Sequence, residues 1–145
     1  MNASQIFQIV NPIATLGWIL LVFFPNWKHT KNITVVLLSS FLFAGLYIFS
    51  LSISFGKTGG NFSSLEGVRL LFTNDFALLA GWIHYLAFDL FVGTWEVEDA
   101  KINGISRLLV IPCLFLTFMF GPTGLFCYTI LKLVLKKPIL TRINF

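Results

Sequence analysis

The fold of this chain is decided by residues 76–95, which read FALLAGWIHYLAFDLFVGTW. About twenty consecutive apolar residues are enough to cross the hydrocarbon core of a bilayer as a helix. This run nevertheless contains His84 near its midpoint and Asp89 five residues later. An ionised carboxylate at such a depth costs on the order of 2.5–3.5 kcal/mol on insertion scales. We therefore expect both polar side chains to be paired with other groups or used by the protein.

The composition of the whole chain also indicates a membrane protein. Of its 145 residues, 57% are hydrophobic and 11% are charged, whereas soluble domains are roughly 25% charged. The formal net charge is +4, and the basic residues fall in short connections and near the C-terminus, where membrane proteins usually place them. A nucleic-acid-binding protein would instead present a basic face on a soluble fold. We therefore expect no nucleic-acid partner.

The apolar runs predict an all-α membrane protein that forms a single integral membrane domain over residues 1–145. Four transmembrane helices are predicted, at about residues 6–24, 33–55, 76–95 and 108–131. The charged residues that follow the third of these helices are predicted to form a polar loop.

The fourth apolar run is interrupted by Gly121 and Pro122, which disturb a regular helix. We predict one long, kinked helix whose break is buried against neighbouring helices. On this interpretation Cys113 and Cys127 lie 14 residues apart on one helix and cannot form a disulfide unless helical turns unwind. They are predicted to be small packing residues.

A short amphipathic helix is predicted at residues 63–72, lying in the membrane interface before the third span. Ser63 and Glu66 have the spacing of a capping box, and apolar residues follow at helical intervals. Glu66 and Arg69 are three residues apart and can pair with each other. Two interpretations stay open. The polar face is solvated, or the helix covers the third span and offers Glu66 or Arg69 to its polar centre.

Four spans would place both termini on the same side of the membrane. In that arrangement six of the ten Lys and Arg residues lie on the side of the termini and four lie opposite. Because basic residues are enriched on the cytoplasmic side, the sequence predicts cytoplasmic termini.

His84 and Asp89 are five residues apart, so on a helix they point roughly 140° from each other. Three interpretations of the pair stay open. In one, both residues hold the helix bundle together by hydrogen bonds. In another, a neutral imidazole and a carboxyl act as base and acid on a lipid-soluble substrate. In the third they belong to a metal or haem site, for which one His and one carboxylate are a poor ligand set. No metal and no cofactor is therefore predicted.

Four further residues are candidates for binding a substrate of this polar centre. Trp82 and Tyr85 share the helical face of Asp89. Glu66 and Arg69 would join them if the interfacial helix folds over the third span.

Residues 81–93, GWIHYLAFDLFVG, followed by Asp99, resemble the signature of the membrane proteins required for neoxanthin synthesis in plants. This abscisic-acid-deficient family also has bacterial and cyanobacterial relatives of unassigned role. Weaker similarity at Pro25, at residues 71–72 and at residues 121–124 extends the resemblance over most of the chain. No plastid transit peptide is evident, so we expect a multi-pass protein of a bacterial inner membrane or a cyanobacterial membrane.

The resemblance implies carotenoid chemistry. Neoxanthin forms from violaxanthin when an epoxide opens and a proton is lost to leave an allene, which is an isomerisation without redox change. By resemblance, the protein would be an isomerase of an epoxycarotenoid-like lipid, with His84 as base and Asp89 as acid. The alternative is a non-enzymatic scaffold or a pigment- or lipid-binding partner of another enzyme. The expected partners are a membrane lipid or carotenoid, together with another enzyme or a second copy of the chain.

Overall fold

A computed structural model describes residues 1–57 and 59–139, and this part of the chain is helical, with no strand. Its elements are listed here in chain order. They are α1 (Ala3–Phe23), a π-helical segment (Asn32–Phe43) that continues into α2 (Ala44–Ser54), α3 (Leu65–Leu71), α4 (Asp75–Asn103), α5 (Arg107–Phe120) and α6 (Pro122–Val134). The π-helical segment and α2 together form the α2 span, Asn32–Ser54. The predicted all-α class is confirmed.

Three helices are long and apolar enough to cross a membrane: α1 with 21 residues, the α2 span with 23 and α4 with 29. At about 1.5 Å per residue, even the shortest extends roughly 32 Å, which matches a hydrocarbon core of about 30 Å. Helix α1 begins earlier than predicted because Asn2 and Gln5 form a capping box at its start.

Helix α4 is the centre of the bundle. Ala3 and Asp75, at the starts of α1 and α4, line the same groove. Val22 and Lys101, near the ends of these helices, line the same cavity. Helix α1 therefore runs parallel to α4. The α2 span is antiparallel to α4, because Thr34 near its start bonds Thr94 near the end of α4. The core between these helices is made of fully buried apolar side chains that include Val10, Leu21, Phe43, Ile83 and Leu90.

The predicted polar loop after Trp95 is wrong. Helix α4 continues to Asn103 and ends at Gly104, whose left-handed backbone (φ 63°, ψ 32°) closes the helix. Glu96 and Asp99 are 0% exposed. These polar residues stay helical because they are buried against α5 and α6, where their side chains find partners.

The predicted long, kinked fourth helix is also wrong. Helix α5 ends at Phe120, the backbone turns at Gly121 (φ 50°, ψ −104°), and α6 begins at Pro122. The Sγ atoms of Cys113 and Cys127 lie 3.7 Å apart, whereas 14 residues of continuous helix would separate them by about 21 Å. The segment is therefore a helical hairpin, and the prediction that the two cysteines lie on one helix that must unwind before they can meet was wrong as well.

The hairpin runs along the second half of α4 and returns. Arg107 at its start donates a hydrogen bond to the Val22 carbonyl near the end of α1. The tip of the hairpin, Gly121, lies beside Asp89 of α4. On the returning helix α6, Lys132 donates a hydrogen bond to Asp99 of α4. The start of α1 and the end of α6 therefore lie at opposite ends of the bundle, and the arrangement expected for four crossing helices does not form.

Helix α3 lies beside the beginning of α4, where the Phe72 ring packs against Gly81. Its N-cap is Ser64, one residue later than predicted, and the Ser64 hydroxyl accepts a hydrogen bond of 3.0 Å from the Gly67 amide. A helix is thus present within residues 63–72 as predicted, and its position in a membrane interface stays a prediction.

Candidate functional site

His84 lies in a groove of about 630 Å³ between the α2 span and α4. Its ring stacks on Phe88, with centroids 4.6 Å apart, and makes a tilted contact with Tyr47 at 5.8 Å. The other lining residues are small or aromatic: Ser39, Ser40, Ala44, Ala87 and Phe91. We name this the His84 groove. It combines an apolar aromatic wall with an imidazole and a few hydroxyl groups.

The His84 groove faces the outside of the bundle. His84 is exposed, and the Phe88 side chain is 58% exposed. On a protein that spans a bilayer, this surface would contact lipid tails. Because small side chains line the α2 span here, a long apolar molecule could approach the helix backbone closely.

Asp89 points to a different neighbour. Its carboxylate oxygens lie 3.0 and 3.2 Å from the position that a Cβ on Gly121 would occupy, so Asp89 sits at the tip of the hairpin. The Oδ2 atom is buried without a hydrogen-bond partner in the part of the chain that the structure describes. As their spacing predicts, His84 and Asp89 reach different helices. The structure does not assemble them into one compact pair, and their catalytic roles stay predictions.

Trp82 and Tyr85 use their polar atoms to join helices. The Trp82 indole donates a 2.8 Å hydrogen bond to the Asn11 side chain in α1. The Tyr85 hydroxyl donates a 2.7 Å hydrogen bond to the Phe118 carbonyl in α5. Neither side chain lines the His84 groove. Because neither side chain lies in that groove, the structure does not support their predicted role in binding a substrate there.

Glu66 and Arg69 pair with each other at 2.6 Å, as their spacing predicts. Their side chains are 65% and 70% exposed, and neither lines the His84 groove. The structure favours the solvated polar face over the interpretation in which they reach the third span.

A buried ionic cluster joins α4 to α6, and the sequence analysis did not find it. Asp99 Oδ2 accepts hydrogen bonds of 2.6 Å from both the Lys132 ammonium and the Tyr128 hydroxyl. All three residues are at most 1% exposed. The spacing of Tyr128 and Lys132, four residues apart on one helix, was the signal that could have indicated a common face.

Two further buried contacts hold the hairpin and the α2 span to α4. Both oxygens of Glu96 accept from the Thr117 hydroxyl of α5, at 2.9 and 3.1 Å. Thr94 donates a 2.9 Å hydrogen bond to Thr34. Buried polar groups are costly when left unpaired, so these bonds fix how the helices are arranged.

No metal centre is evident within residues 1–57 and 59–139, where no group of three or more His, Cys, Asp and Glu side chains is arranged to hold an ion.

The architecture and the groove define an all-helical protein with three helices long and apolar enough to span a membrane and with a histidine on the outer surface of the bundle. A family profile described as ABA DEFICIENT 4-like matches residues 5–128. The chain therefore belongs to the ABA DEFICIENT 4-like family, and the resemblance predicted from residues 81–93 is confirmed.

One relative is Protein ABA DEFICIENT 4, chloroplastic, from Arabidopsis thaliana, which is 27% identical over 144 residues. The similar region covers 93% of this chain and 64% of the relative. No solved structure matches the chain.

Proposed function

We propose that the protein binds a carotenoid-like lipid in the His84 groove and that His84 acts on the bound molecule. Membership of the ABA DEFICIENT 4-like family supports a carotenoid-related role. The observation that carries the proposal is the imidazole of His84, held against Phe88 in an apolar groove on the outward-facing side of α4.

The groove suits a long polyene with polar end groups. Ligand sites are typically lined by apolar and aromatic side chains, with few polar groups that fix orientation. Phe88 and Phe91 provide aromatic surface, and Ser40, Tyr47 and His84 provide the polar groups. A carotenoid could enter sideways from the bilayer without passing through water.

The reaction proposed is isomerisation by acid–base chemistry. A neutral imidazole removes a proton from carbon, an epoxide C–O bond breaks, a new carbon–carbon π bond forms, and the released oxygen gains a proton. The atoms of substrate and product are therefore the same. Tyr47 shares the groove with His84, whereas Asp89 faces the hairpin, so the geometry favours the Tyr47 phenol over Asp89 as the acid.

The test is a pigment chromatogram of a carotenoid-producing host that accumulates violaxanthin, carrying wild type, His84→Ala or His29→Ala. His29 is the matched control, because it is the other histidine and lies in the exposed connection after α1. Wild type and His29→Ala should form an isomer of unchanged mass, and His84→Ala should not, at equal protein in the membrane. Full conversion by His84→Ala would contradict the catalytic role.

A second candidate is a non-enzymatic pigment-binding partner of another enzyme. The separation of His84 from Asp89 onto different faces of α4 favours it, because the predicted acid–base pair is not assembled. In that case pigment should co-purify with wild type and with His84→Ala alike, and neither should convert it.

For the membrane arrangement we propose three crossing helices and one hairpin that enters and leaves on the same side, in place of four spans. Helices α5 and α6 have 14 and 13 residues, or about 20 Å each, which is less than the hydrocarbon core. The exposed apolar side chains of α3, Leu65 and Leu70, suit a position in the interface.

The same arrangement changes the predicted orientation. Of the nine Lys and Arg residues in the described part of the chain, Lys57 and Arg69 lie at the end of the bundle where α1 begins. The other seven lie at the opposite end: Lys28, Lys31, Lys101, Arg107, Lys132, Lys136 and Lys137. Because basic residues concentrate on the cytoplasmic side, we propose that the α1 N-terminus is outside the cytoplasm and that the hairpin opens toward it. The bacterial or cyanobacterial membrane remains a proposal.

A further inference from the structure

A second cavity, separate from the His84 groove, lies between the end of α1 and the junction of α4 with α5. Its volume is about 200 Å³. Buried apolar side chains form one part of its lining: Leu21, Val97, Val110 and Leu114. Asn26, Lys101 and Arg107 form the other part. The cavity thus combines an apolar wall with two cationic side chains, at the end of the bundle where basic residues concentrate.

The cationic part carries an excess of positive charge. The Lys101 ammonium donates to the Pro25 carbonyl at 2.5 Å and pairs with Glu98 at 2.6 Å, so its charge is balanced. Arg107 donates to the Val22 carbonyl. None of the ion pairs within residues 1–57 and 59–139 includes Arg107. A guanidinium has five N–H donors, so Arg107 retains both charge and donors for an anion.

The position of the cavity identifies the chemistry of its ligand. Lys101 and Arg107 lie close to the ends of α1 and α4, which the membrane arrangement proposed above places at the level of lipid headgroups. Leu21 and Leu114 are buried in the bundle. Basic pockets between transmembrane helices on the cytoplasmic side are complementary to anionic headgroups, and guanidinium groups bind phosphate oxygens in a two-pronged geometry. A soluble anion would not use the apolar wall.

We propose that this cavity binds an anionic phospholipid, with its phosphodiester at Arg107 and the beginning of an acyl chain along Leu21 and Leu114. The proposal goes beyond the function proposed for the His84 groove and does not depend on it, but it rests on the membrane arrangement proposed above. The site gives the protein a preference for membranes rich in anionic lipid, and it ties the end of α1 to the start of the hairpin through a bound lipid.

The first test is native mass spectrometry of the purified protein with phosphatidylglycerol or phosphatidylcholine of identical acyl chains. Both lipids carry the phosphodiester, but phosphatidylcholine adds a choline cation that Arg107 and Lys101 would repel. Wild type should therefore bind phosphatidylglycerol about tenfold more tightly. Arg107→Gln should remove this preference. Lys28→Gln, which changes an exposed basic residue at the same end of the bundle that does not line the cavity, should keep it. Equal binding of the two lipids by wild type would overturn the proposal.

Two further measurements keep the result decisive. Phosphatidylglycerol should raise the unfolding temperature of wild type, and phosphatidylcholine should not. This measurement needs only the wild-type protein, so it gives a result even if Arg107→Gln folds poorly. Arg107→Lys, which keeps the charge but loses the planar donor pair, should bind with intermediate affinity. If inorganic phosphate displaces phosphatidylglycerol at comparable concentrations, the site recognises soluble phosphate and the lipid assignment is wrong.

Discussion

The Sγ atom of Cys113 lies 3.7 Å from that of Cys127, although 14 residues separate the two along the chain. Only a reversal of the chain between them permits this approach, and it occurs at Gly121, whose φ angle is positive (50°). The reversal places the hairpin tip at Asp89 and returns Lys132 to Asp99. The fourth apolar run is therefore a hairpin of two short helices and not one crossing helix.

The cysteine pair gives a direct test of the hairpin. Mild oxidation of purified protein should join Cys113 to Cys127, because a small movement brings the sulfurs to bonding distance. Peptide mass spectrometry under non-reducing conditions should find the cross-linked pair, and thiol labelling should fall to near zero. Cys127→Ser should leave Cys113 available for labelling. If the intact chain keeps two reactive thiols after unfolding, the continuous helix is the better description.

The membrane arrangement predicts opposite locations for the two ends of the described chain. Reporters that are active only in one compartment, fused before Ala3 or inserted after Lys137, should give opposite signals. The reporter after Lys137 should be cytoplasmic, because seven of the nine described basic residues lie at that end. A reporter in the connection at Lys57 is the control and should agree with the N-terminal fusion. Equal signals from both ends would support four crossing helices.

The buried pair of Asp99 and Lys132 should contribute strongly to stability. Lys132→Met leaves a buried carboxylate without its ammonium, which typically costs about 3–5 kcal/mol of unfolding free energy. Lys101→Met is the control, because its pair with Glu98 is partly exposed and should matter by roughly 1 kcal/mol or less. Denaturant titration in detergent micelles would measure both variants.

A double variant distinguishes the effect of an unpaired buried charge on stability from the effect of side-chain packing in this cluster. Asp99→Leu combined with Lys132→Met replaces both charges with apolar groups, and such replacements are often nearly neutral. The double variant should therefore be more stable than Lys132→Met alone. A larger loss in the double variant would mean that Asp99 has a second essential role.

The close packing of α5 on α6 depends on Gly124. A Cβ at this position would overlap the backbone and hydroxyl of Thr117. Gly124→Ala should lower the free energy of unfolding by about 1–3 kcal/mol, as overpacking usually does. Gly45→Ala in α2 meets nothing within 4 Å and should stabilise the protein by roughly 0.5–1 kcal/mol, because alanine favours helix. The diagnostic result is that Gly124→Ala lowers the free energy of unfolding and Gly45→Ala raises it. If both variants change this free energy in the same direction, the contact between α5 and α6 at Gly124 is not supported.

The His84 groove should lose its ligand when it is filled. Ala44 lines the groove, so Ala44→Trp should reduce the carotenoid bound per protein several-fold, measured by absorbance after purification. Ile48→Trp adds the same bulk to α2 at a side chain that is 65% exposed and does not line the groove. It should bind as much pigment as wild type. Similar loss in both variants would mean that pigment binds elsewhere.

The sequence predicted the first three long apolar helices well, apart from the end of α4, because their signals are local. Runs of apolar residues define α1, the α2 span and α4, and the Glu66–Arg69 pair follows from spacing on one helix turn. Asp89 and His84 were recognised as unusual from their depth alone. Their divergence by roughly 140° around the helix followed from the 3.6-residue period. The family resemblance likewise rested on one continuous stretch, residues 81–93.

The sequence by itself determined that the chain is helical and suited to a membrane, because backbone polar groups in lipid must be satisfied within each helix. Only the tertiary structure decided the hairpin, since Gly121 followed by Pro122 is compatible with a kink or a full reversal. Only packing against α5 and α6 kept Glu96 and Asp99 in a helix. Such choices depend on contacts between residues far apart in the sequence, as in the bonds from Glu96 to Thr117, 21 positions apart, and from Asp99 to Lys132, 33 positions apart.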